Sequence, residues 1–215
     1  MKKSTLLSFL LVFVTMLQAQ VKDKSGNSYK TVVIGSQTWM AQNLNTGHFR
    51  NGDPIPEAKT DAEWEKAGTE GTPAWCYYEY KAENGPKYGK LYNWFAVNDS
   101  RGLTPAGWHV PTNNDWDKLA TNLGGFAAAT RKLKSTTGWE SELNGSNESG
   151  FSALPSGILT KDIFFEELGV YGYWWSSTEE DKELAYNRSI SADRFAFEKA
   201  SAFKQNGLSV RCIRN

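Results

Sequence analysis

Histidine and cysteine are scarce in this 215-residue chain, with two of each, and methionine (3) and proline (7) are few. With His48 and His109 alone available, a Ser-His-Asp triad or a histidine-bound catalytic zinc has little to draw on, and no H-E-x-x-H occurs. G-x-S-x-G, a P-loop and G-x-G-x-x-G are likewise missing. Neither charge sign dominates, because 24 Lys+Arg face 24 Asp+Glu. No broad basic surface therefore stands ready for phosphates, and nucleic acid is not an expected partner. Internal repeats, low-complexity linkers and long charge blocks are absent too. A content of 40% hydrophobic and 22% charged residues fits ordinary globular material and excludes disorder, collagen and coiled coil.

What is present begins with Met1 to Gln20, where Lys2 and Lys3 precede an apolar run from Leu6 to Leu17 and the small residue Ala19. This three-part pattern reads residues 1–19 as a secretory signal peptide, leaving 20–215 as one domain by size. The run is too short to cross roughly 30 Å of hydrocarbon as a helix, so no transmembrane segment is expected. No cysteine follows it, which removes lipid attachment at a mature N-terminal Cys. An even pair of cysteines in an exported chain favours a disulfide between Cys76 and Cys212, worth about 4 to 5 kcal/mol in the loop-entropy account. Two separate buried thiols are the alternative.

Along the mature chain, residues 29–41 read as a hairpin turning at Gly35-Ser36. Thr60 and Glu63 form a T-x-x-E box that starts a short helix over 61–67, stopped by Gly68. The run 88–97 places Leu91, Trp94, Phe95 and Asn98 on one helical face, which favours helix over strand. The clearest element is 111–123, with Thr112 as N-cap, Asp115 at the third position and a core stripe of Trp116, Leu119, Ala120 and Leu123. A second short helix is expected around 127–134. From Phe151 onward, short β-type runs bounded by polar turns predict one irregular antiparallel sheet, so the class is α+β. In a strand over 171–177, Trp174 and Trp175 point to opposite faces, and both faces cannot be equally solvent-exposed.

SQTWMAQNLN (36–45), AWCYYEY (74–80), YGKLYNWFAV (88–97), GWHVPTNNDW (107–116), NESGFSALPSG (147–157), YWWSSTEE (173–180) and GLSVRCIRN (207–215) occur in this order. Together they closely resemble the Fibrobacter succinogenes major paralogous domain, a family of exported proteins of Bacteroidetes and related bacteria whose activity is largely uncharacterised. At the level of fold, GWHVPTNNDWDKLATNLGG and GLSVRC also resemble segments of formylglycine-generating enzymes. That likeness implies a C-type-lectin-like single domain with short helices, whose terminal strands meet in one sheet, and a Cys76–Cys212 bridge is compatible with it. It does not carry catalysis over, because the oxidase chemistry needs a reactive cysteine pair and Cys212 sits in a strand where bridging is the simpler reading.

No catalytic residue is assigned. His109, between Trp108 and Val110 before a helix cap, reads as a hydrogen-bonded structural histidine. The clusters at 144–150 and 177–183 offer hard oxygen ligands suited to calcium, with Asn147, Glu148 and Glu179 as candidates. Neither has EF-hand spacing, the sugar-site signatures of C-type lectins are missing, and solvated turns explain both more simply. No cofactor is therefore expected. Among 9 Trp, 9 Tyr and 11 Phe, most tryptophans sit on core faces or inside the shared motifs, while Trp64, Trp139 and Tyr171 do not. Those three are the candidate ligand contacts. The expectation is an exported, non-catalytic binding or adhesion module that recognises a carbohydrate or protein at the cell surface, through loops such as 46–73, 135–146 and 158–170. The alternatives are an extracellular glycan-directed enzyme using loop carboxylates and a structural component of a surface assembly.

Overall fold

The β-branched run TVVI and the run QTWM pair across the Gly35-Ser36 turn as expected, and this hairpin receives the other end of the chain. The computed structural model describes residues 20–193 and 196–215. In chain order its strands and helices are β1 (Val21–Lys22), β2 (Ser28–Tyr29), β3 (Thr31–Ile34), β4 (Gln37–Met40), α1 (Asp61–Glu70), β5 (Trp75–Cys76), α2 (Gly85–Tyr88), β6 (Leu91–Tyr92), α3 (Trp94–Val97) and β7 (Trp108–His109). Then follow α4 (Asn113–Asn122), α5 (Phe126–Leu133), β8 (Ser156–Leu159), β9 (Phe165–Leu168), β10 (Tyr171–Glu179), β11 (Leu184–Ser191), β12 (Phe197–Phe203) and β13 (Ile213–Arg214). The class is α+β. The signal-peptide reading of 1–19 lies outside the described residues. Among the described residues, no helix is long and apolar enough to cross a membrane.

The strands after Phe151 do not form one sheet. A five-stranded sheet runs β12-β11-β10-β8-β9, antiparallel except where β10 lies parallel to β8. The segment 207–215 leaves it and supplies β13 to a four-stranded sheet ordered β3-β4-β13-β7, where Ile213 sits opposite both Trp39 and His109. The last strand thus meets β3 and β4 in one sheet, whereas β1 and β2 pair with each other in a sheet of their own. Backbone bonds stitch the approach to β13 into the middle of the molecule: Tyr92 N donates to Leu208 O, Trp175 N to Ser209 O, Leu44 N to Val210 O and Met40 N to Cys212 O.

Helix α4 forms as its sequence dictates. Thr112 Oγ1 accepts from Asp115 N, and the Asp115 carboxylate accepts from Thr112 N at 2.9 Å, a complete capping box. Helix α1 starts at Thr60 as expected but runs past Gly68, which packs inside it against the Gln205 side chain; Gly71, at φ 65°, ends it instead. The helix expected over 88–97 breaks into β6 and the single turn α3. The cause is Asn93, whose Oδ1 accepts from Ala96 N and Ala74 N and so fixes a cap in mid-segment.

Three clusters make up the core. Trp175 lies in the first and Trp174 in the second, so β10 is covered on both faces at this point. The disulfide expectation is corrected: Cys76 and Cys212 are both free and fully buried. Cys76 packs in the third cluster with Trp64, Leu91 and Leu159, whereas Cys212 packs in the first, so each sulfur is enclosed by apolar side chains. Burial pushes both thiols above their ordinary pKa, Cys76 strongly, and keeps them protonated.

Between the clusters lies a polar hub. Arg211 is wholly buried, and no carboxylate is ion-paired with it among the described residues. Its Nη1 donates to Phe151 O (2.6 Å) and Met40 O (3.0 Å), while Nε and Nη2 donate to Asn43 Oδ1 (3.2 and 2.9 Å). Trp174 Nε1 donates to the same oxygen at 2.8 Å. Lys90 is a second enclosed cation, with Nζ 2.8 Å from Tyr77 Oη, 3.1 Å from Asn45 Oδ1 and 3.8 Å above the Trp75 ring.

Candidate functional site

One surface groove is built from segments far apart in sequence. It holds about 620 Å³ between the C-terminal end of α1 (Gly68 to Gly71), Phe95 of α3, Lys161 in the β8–β9 turn, Lys182 and Glu183 in the β10–β11 turn, and Phe203 to Gln205 at the end of β12. Two of the loops expected to display a surface, 46–73 and 158–170, contribute to it, and 135–146 does not.

Its walls are tied together by specific bonds. Lys204 is buried, with Nζ paired to Glu179, donating to Asp181 O (2.7 Å) and Lys182 O (3.0 Å), and lying 4.9 Å from the Trp94 ring. One ammonium therefore fixes the β10–β11 turn against α3. On the opposite wall Trp64 Nε1 donates to Gln205 O at 3.0 Å, and Gln205 Nε2 donates to Gly68 O at 3.3 Å. Lys161 N donates to Asn206 Oδ1 at 2.8 Å, and Lys161 Nζ sits 5.1 Å from the Phe203 ring. The same turn holds Ile163 at φ 65°, a left-handed conformation costing about 1–2 kcal/mol for a residue with a Cβ. Packing of Ile163 on the third core cluster offsets that strain. A smaller hollow lined by Ile163 and Trp64 shares Gly68, Thr69, Lys161 and Gln205 with the groove and extends it.

The groove thus presents a half-buried ring, Phe95, and an exposed one, Phe203, among three lysines and the carboxylates of Glu70 and Glu183. Flat apolar faces beside charged hydrogen-bonding groups suit a ligand with both characters, such as a sugar or a peptide.

The residues singled out in the sequence do not converge here. Trp64 and Trp139 are 1% and 4% exposed, so neither is a surface contact. Their indole N–H groups are spent internally, Trp64 on Gln205 O and Trp139 on Ser135 Oγ and Ala153 O. Trp64 supports the groove from beneath. Tyr171 is half-buried and stacks on Tyr173 with centroids 5.4 Å apart. Of the calcium candidates, Asn147 is engaged with Ser152 through both ends of its amide, Glu148 points to solvent, and Glu179 is paired with Lys204. Among the described residues, no group of three or more His, Cys, Asp or Glu is placed to hold a metal ion.

His109 is hydrogen-bonded, as expected, through Nδ1 to Asn215 Oδ1 (2.8 Å) and through Nε2 to Asp115 Oδ2 (3.2 Å). Burial raises the Asp115 carboxyl, but hydrogen bonds from Thr112 and the His109 contact outweigh it and hold the group below its ordinary pKa. Phe203 and Lys204 were not singled out in the sequence, Phe95 was read only as part of a helical face, and Lys182 only as part of the 177–183 cluster. The sequence carried no clear signal for Phe203, because in FEKASAF it shares a strand face with Phe197, which is buried.

A family model described as the Fibrobacter succinogenes major domain matches residues 32–214. No curated protein and no solved structure matches the chain.

Proposed function

We propose a binding function for this chain, which belongs to the Fibrobacter succinogenes major domain family. It is an exported, non-catalytic module that recognises a carbohydrate or protein at the cell surface. The observation that carries this reading is the groove of about 620 Å³, in which Phe95 and Phe203 stand beside Lys161, Lys182, Glu70 and Glu183. The aromatic faces supply contact area with few rotatable bonds, and the charged groups fix orientation. The leader-like residues 1–19 support the placement outside the cytoplasm.

The test is a screen of the chain beginning at residue 20 against glycan arrays and surface-protein extracts, followed by affinity measurement on Phe203→Ala and Phe95→Ala. Loss of a stacked ring removes about 1 kcal/mol or more, so each variant should weaken binding at least about fivefold, with the ligand recovered intact. Unchanged affinity in both variants overturns the assignment to the groove. Release of product from a polysaccharide overturns the non-catalytic reading and moves attention to Glu70 and Glu183. Concentration-dependent oligomers without ligand capture would make the chain a structural component of an assembly.

A further inference from the structure

A second cavity, of about 360 Å³, lies between the β1–β2 hairpin, the loop carrying His48 and Arg50, and the segment Leu103–Ala106. Its charged lining is Lys22, Lys24 and Arg50 against the single carboxylate of Asp23, a local imbalance in a chain whose formal charge is zero. Asp23 is committed to the hairpin. Its Oδ1 accepts from Asn27 N at 2.9 Å, and its Oδ2 accepts from Asn27 Nδ2 at 2.8 Å and from Tyr29 Oη at 2.5 Å. Among the described residues, none of the three cations is ion-paired with a carboxylate.

Two of the lining groups are held in place, and one of them, Arg50, has donor capacity to spare. Arg50 Nε donates to Thr104 O (2.9 Å), and Nη2 donates to Thr104 Oγ1 (2.9 Å) and Trp108 O (3.2 Å). These bonds fix the plane of the guanidinium and leave Nη1 without a partner among the described residues. His48 is fixed through Nδ1, 2.9 Å from Ser25 Oγ, and its Nε2 makes no hydrogen bond to a described residue. Ser25 Oγ also accepts from Gly47 N at 2.8 Å, which locks the 23–27 turn onto the His48 loop. A concave site with an excess of positive charge and pre-oriented donors attracts anions and loses little entropy on binding them.

We propose that this cavity is an anion subsite, separate from the groove, that takes a carboxylate, sulfate or phosphate group carried by a ligand of about one sugar ring. The volume lies at the small end of ligand pockets, which excludes an extended polymer within it. The site acts as a clamp: Lys22 and Lys24 supply mobile charge, and Arg50 supplies a fixed donor through Nη1.

The test is calorimetric titration of the chain beginning at residue 20 with sodium sulfate, sodium phosphate, glucuronate and, as the uncharged counterpart, glucose. At least one anion should bind one-to-one and about tenfold or more tighter than glucose, and the anion that does so identifies the source of the charge. Lys22→Gln with Lys24→Gln should weaken it at least about fivefold. Both lysines are exposed, so this variant keeps the fold; Phe203→Ala should leave anion affinity unchanged, which separates this site from the groove. The proposal is overturned if no anion binds more tightly than glucose, or if the double variant retains the full affinity.

Discussion

Replacing Arg211 tests the polar hub most directly. In Arg211→Met the carbonyls of Phe151 and Met40 lose charge-assisted donors at 2.6 and 3.0 Å, while Asn43 Oδ1 keeps only the Trp174 indole. Each buried acceptor left unpaired costs about 1–3 kcal/mol. Removing a buried cation that has no carboxylate partner recovers part of this, so the net loss should be about 3–5 kcal/mol. For a chain of this length that lowers Tm by about 6–20 °C. Burial lowers the guanidinium pKa to about 9, so Arg211 still carries its charge at neutral pH. Arg211→Lys should therefore fail nearly as badly, because one ammonium cannot span Asn43, Met40 and Phe151. Urea unfolding of both variants measures the loss. A methionine variant within about 1 kcal/mol of the parent would show that desolvation cancels the hydrogen bonds, and the hub would not hold the clusters together.

Alkylation followed by mass measurement should find two free thiols, protected in the folded protein and reactive only after unfolding; a bonded pair would contradict their separate burial. Burial lowers Lys90 to about 8 from an ordinary value of 10.5, so between those pH values the unfolded chain holds the proton more tightly. The contribution of Lys90 to stability should accordingly rise across that window, by at most about 3 kcal/mol, and be lost as pH falls through 8. Urea midpoints of the parent minus Lys90→Met would show it, and a flat difference refutes it. Gly89→Ala places a Cβ 2.8 Å from Leu44 O at φ 76° and should destabilise by about 2 kcal/mol or more; a thermal melt equal to the parent's would count against the packing there.

The features legible in the sequence were those set by neighbours along the chain. The Thr112–Asp115 box and the Trp116–Leu123 stripe fix α4, and Gly35-Ser36 fixes the β3–β4 hairpin. From the residues alone the fate of 207–215 was not legible, because a short β-type run carries no mark of which partner it will choose; Ile213 pairs with residues more than one hundred positions away. The same limit explains Cys76 and Cys212, which compartment and parity favoured as a pair and packing placed in different clusters. Trp64 and Trp139 lie outside the shared motifs, yet each indole N–H finds a carbonyl inside the fold. The groove draws on five separate segments, among them helix ends, a strand end and polar turns, so its lining emerges only when they are brought together.

The seat of β13 between β4 and β7 sets the order of events during synthesis. Residues 207–213 are made after every group they bind, so until they arrive the amides of Met40, Leu44, Tyr92 and Trp175 lack their acceptors and the Arg211 hub has no cation. A nascent chain stopped short of them has both halves of a zip and no slider. It follows that the polypeptide cannot complete its closure until its last residues are available.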